Sequence, residues 1–68
     1  MTKLPYRNEA FQSLSADEQC LALFLWLKAN ETSWNSAGGQ NQRKAAGLDP
    51  EAERRFSDAL TRAWAAVV

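Results

Sequence analysis

Cys20 is the one thiol among 68 residues, and the chain contains no histidine. A nucleophilic hydroxyl or thiol needs a base beside it, and imidazole is the usual one. A zinc shell needs four ligands, which a single thiolate without imidazole does not supply. Cys20 also opens the run CLALFLWL, an apolar setting that raises a thiol pKa and leaves the group inert. The carboxylates are no better arranged for acid–base work. Asp17 and Glu18 are adjacent, so on a helix they point about 100° apart instead of converging, and Glu51 and Glu53 diverge in the same way. Gly38-Gly39 has no Lys-Ser/Thr after it and no strand pattern before it, so it is not a phosphate loop. No catalytic residue, cofactor site or metal site is expected. The chain reads as a non-enzyme.

The basic residues raise a second possibility. QRKAAGLDPEAERRF has the rhythm of a helix-turn-helix: a short helix ends at AGL and another begins at once. With Gly47 as the turn glycine, Ala46, Leu48 and Phe56 take suitable apolar positions. Arg43 and Glu53, however, stand where small and apolar residues belong. A recognition helix presents its first residues to the bases, and here those include Glu51 and Glu53, which phosphates repel. Eight basic and eight acidic residues give a formal net charge of zero. Residues 1–39 carry three basic against four acidic side chains and residues 40–68 five against four, so neither half is a polycation. Arg54 and Arg55 read better as part of a solvated face. DNA binding is kept as the alternative function.

Two helices must position these groups. In SADE, Ser15 and Glu18 form a capping box and Asp17 adds favourable first-turn charge, so a helix is predicted over about 16–29. Lys28 falls in its last turn and Asn30 suits a left-handed end. Asp49 is an N-cap with Pro50 behind it, which starts a second helix over about 50–66. Phe56, Leu60 and Trp64 recur along it at helical spacing, with Glu51–Arg55 and Asp58–Arg62 as i,i+4 pairs on the other side. Short helices are predicted over about 9–14, with Asn8 as its cap, and over about 40–46, ending at Gly47. Residues 1–7 read as an N-terminal arm pinned by Leu4 and Tyr6, and 30–40 as a polar, glycine-containing loop. The fold class is all-α, in one domain.

Eight consecutive apolar residues, Cys20 to Leu27, cover the full circumference of a helix. The run would span roughly 12 Å, too short to cross a bilayer. A chain this small has little to lay over every side of it, so an uncovered strip is expected. Covering about 400 Å² of apolar surface contributes about 10 kcal/mol before the costs of association, which favours a symmetric homodimer. Leu23, Phe24, Trp26, Leu27 and Trp64 are the residues expected in that interface. Trp34 lies among polar and flexible neighbours and is read in two ways: folded back to cap the bundle, or as a partner anchor, with Arg43 and Lys44 as a charged rim and Arg54 and Arg55 as further contacts. The first residues lack the apolar core of a signal peptide, so a cytoplasmic protein is expected.

The functional expectation is a small non-enzymatic regulator that binds another protein: an inhibitor, anti-activator or adaptor that covers a working surface of a larger target. In size and style this resembles phage or plasmid accessory proteins. Besides DNA binding, a structural subunit of an obligate complex is the other alternative.

Overall fold

A computed structural model describes residues 8–68 of the chain, and all regular structure among them is helical. The N-terminal arm, with Leu4 and Tyr6, lies outside the described residues. Helix α1 spans Glu9–Gln12, α2 Ala16–Ala29, α3 Ala37–Ala46 and α4 Pro50–Val67. Each is started by a side chain that accepts from an otherwise free first-turn amide: Asn8 from Ala10, Ser15 from Glu18, Ser36 from Gly39 and Asp49 from Ala52. The capping box of α2 is complete. The Glu18 amide donates to Ser15 Oγ at 3.3 Å, and the Ser15 amide donates to Glu18 Oε1 at 3.1 Å. Those hydrogen bonds, the backbone one first, hold the Glu18 carboxyl below its ordinary pKa.

The boundaries differ from the sequence reading in three places. Helix α1 stops at Gln12, because Ser13 caps it and the Leu14 amide turns back to the Phe11 carbonyl. Helix α3 begins at Ala37 and not near 40, so Gly38 and Gly39 form its first turn and the loop is shorter than predicted. The left-handed residue after α2 is Glu31, with φ 55°, while Asn30 keeps φ −100° and donates from Nδ2 to the Trp26 carbonyl at 2.7 Å. Gly47 ends α3 as predicted, with φ 66°.

Helices α2 and α4 lie side by side and run the same way. Asp17 meets Arg55 near their starts, Phe24 meets Phe56 midway, and Lys28 and Trp64 border one groove near their ends. The core between them and the connecting segments holds Phe11, Cys20, Leu23, Leu27, Trp34, Leu48 and Ala52. Helix α3 is brought close by Gly39: a Cβ there would collide with the Ser33 carbonyl and lie 2.7 Å from that of Trp34. Only a glycine permits that approach.

Candidate functional site

The apolar run of α2 divides into sealed and open positions. Cys20, Leu23 and Leu27 are 0%, 0% and 1% exposed, whereas Leu21 and Leu25 are 49% and 56% exposed. The covered side faces Leu48 and Ala52, and an uncovered strip remains on the outside. Leu23 and Leu27 are therefore interior residues of one protomer and are withdrawn from the expected dimer interface. Phe24 and Trp26 are half-buried. Trp26 Nε1 is out of contact with solvent and has no hydrogen-bond partner among the described residues.

Trp34 is folded back onto the bundle and does not stand out as an anchor. It is 4% exposed, and its ring packs on Phe56 at 5.0 Å and Phe24 at 6.2 Å. Its Nε1 donates to Ser57 Oγ at 2.9 Å, and the Arg43 guanidinium lies 4.8 Å from the ring centroid. Arg43 Nη1 donates to the same hydroxyl at 3.1 Å, and its Nε stands 3.4 Å from Glu53 Oε2. The polar neighbours of Trp34 in sequence hide a binding pocket supplied 22 or 23 residues away by Phe56 and Ser57. A buried indole bonded at its nitrogen is a structural residue, not a free anchor. Arg43 is internal with it, its side chain 13% exposed, and only Lys44 stays at the surface.

Arg54 and Arg55 are exposed, as expected, but not free. Glu51 Oε2 lies 3.3 Å from Arg54 and 4.0 Å from Arg55, and Asp17 Oδ1 lies 3.1 Å from Arg55. The other predicted pair, Asp58–Arg62, is not within ion-pair distance. Leu21 sits one turn on from Asp17, so the open leucines of α2 border this charged cluster. An apolar centre beside a charged, arginine-containing rim is the usual make-up of a protein-binding surface.

A second open region lies at the far end of the molecule. Phe24, Lys28, residues 31–35, Leu60, Thr61 and Trp64 line a groove of about 590 Å³. Beside it, the last turns of α4 carry Trp64, Val67 and Val68 at 71%, 80% and 83% exposure. Sequence periodicity placed Trp64 on the apolar face of α4, but the core ends at Leu60 and leaves the indole outside. Cys20 is closed to solvent, and burial pushes its thiol above the ordinary value, with Glu53 and Asp17 adding to the shift.

Compared with family models, curated proteins and solved structures, the chain matches none. No helix among the described residues is long and apolar enough to cross a membrane.

Proposed function

We propose that this chain is a small non-enzymatic regulator that binds another protein and acts by covering one of its surfaces. The observation that carries this reading is the open leucine strip of α2, Leu21 and Leu25, set against the Asp17–Arg55–Glu51–Arg54 charge cluster. Half-exposed leucines in the middle of a helix whose other face is sealed gain little for a lone protomer. Contiguous apolar surface of this kind marks interaction sites.

The second reading is a helix-turn-helix protein. Residues 47–49 join α3 to α4 in a three-residue turn through the left-handed Gly47, which favours it. The pairing of both arginines with carboxylates weighs against it, because phosphate contact would have to displace Glu51 and Asp17.

The two readings separate in one comparison. Tagged wild-type chain and the Leu21→Glu/Leu25→Glu variant are exposed to extract of the native host, and to duplex DNA at low salt. The expected result is one protein retained at moderate salt by the wild type and lost by the variant, with no DNA shift. A DNA complex that weakens steeply with salt, or retention that the variant leaves intact, overturns the proposal.

A further inference from the structure

The groove at the far end of the molecule lies outside the surface used above: Leu21 and Leu25 do not line it. Leu60, Trp64 and Val67 follow one another at four- and three-residue spacing and share one face of α4. From Ala59 to Val68 the only charged side chain is that of Arg62, which stands about 160° around the helix from Trp64. The free edge of α4 is thus a ridge without charged side chains, and its Leu60 and Trp64 form one wall of the open groove.

We propose that the occupant of this groove is α4 of a second copy, with the two helices antiparallel about a two-fold axis near Trp64 and each Trp64 seated in the other copy's groove. Three features select a second copy. A two-fold axis requires a self-complementary patch, and here the ridge is itself one wall of the groove, so both belong to one surface. The groove carries one cation and one anion, Lys28 and Glu31, so a second copy of the same surface leaves no excess of either charge there. An antiparallel crossing at Trp64 puts Leu60 opposite Val68 and turns both Arg62 side chains away. Trp64, Val67 and Val68 expose on the order of 400 Å² per copy, about half of one side of a standard interface. That extent fits a reversible dimer with a micromolar midpoint, not an obligate one.

Sedimentation equilibrium of the full chain from low to high micromolar concentration tests this. The wild type is expected to climb from 7.6 kDa toward twice that mass. Trp64→Glu is expected to stay monomeric with an unchanged far-ultraviolet circular dichroism spectrum, since the indole is not part of the core. Trp64→Ala is expected to raise the dissociation constant about tenfold or more. Leu21→Glu/Leu25→Glu is expected to associate like the wild type, which keeps this result separable from the partner-binding test. A wild type that stays at 7.6 kDa throughout overturns the inference. So does association that survives Trp64→Glu, or growth past the dimer.

Discussion

Ser57 shows how one small side chain decides the role of a large one. Its hydroxyl accepts from Trp34 Nε1 and from Arg43 Nη1, so a single oxygen serves an indole and one nitrogen of a guanidinium at the bundle's interior edge. Replacing it removes the acceptor from two part-buried donors, which costs more than losing an ordinary surface hydrogen bond. Ser57→Ala is expected to lower unfolding free energy by about 1–3 kcal/mol in urea titration, and to red-shift tryptophan emission as Trp34 loosens. A variant as stable as the wild type would mean that the hydroxyl only fills space. The sequence allowed a buried Trp34 as one of two readings, but not the residues that bury it. Trp34 has Thr32, Ser33 and Asn35 around it, which suits an exposed loop, and the groups that bury it come from α2, α3 and α4, all distant in sequence or beyond the glycine pair. The converse holds for Cys20, whose apolar neighbours announced its burial at once.

At the scale of the element, legibility tracked how local the cause is. Both long helices were readable because their start signals are spelled within four residues: Ser15 to Glu18, and Asp49 to Ala52. The start of α3 was misread because two adjacent glycines serve different ends there. Gly39 is required by its approach to the backbone of residues 33–34, a contact that composition does not reveal. Gly38 has only the Thr32 methyl at 3.6 Å and the Ser36 hydroxyl at 4.0 Å around a would-be Cβ, which is ordinary contact. The one available hint was Ser36, three residues before Gly39 and placed to cap a helix that the glycine pair seemed to forbid. Alanine at the two positions is therefore expected to act with opposite sign. Gly38→Ala should stabilise by about 0.5–1 kcal/mol through helix propensity and a less free unfolded chain. Gly39→Ala should destabilise despite the same propensity gain, because the Ser33–Trp34 backbone must move. Thermal melts of the two variants decide it, and equal shifts would contradict the packing argument.

For the whole molecule, the run of eight apolar residues led to the expectation of an open strip, but the sequence did not indicate which residues would stand in it. Three of the eight fill the core, and the open strip falls on Leu21 and Leu25 because α4 and the 31–35 segment cover one flank only. Trp64 was assigned to the apolar face of α4 by spacing alone, and spacing carries no information about where the opposing core ends. The account therefore rests on a contrast between sealed and open apolar side chains within the same two helices. Solvent paramagnetic relaxation of leucine and valine methyl groups, using a soluble nitroxide at low protein concentration, measures that contrast residue by residue. Leu21, Leu25 and Val67 should broaden strongly while Leu23 and Leu27 stay sharp, and Val67 should regain protection as concentration rises. Equal shielding of Leu21, Leu25, Leu23 and Leu27 in the dilute monomer would contradict the account.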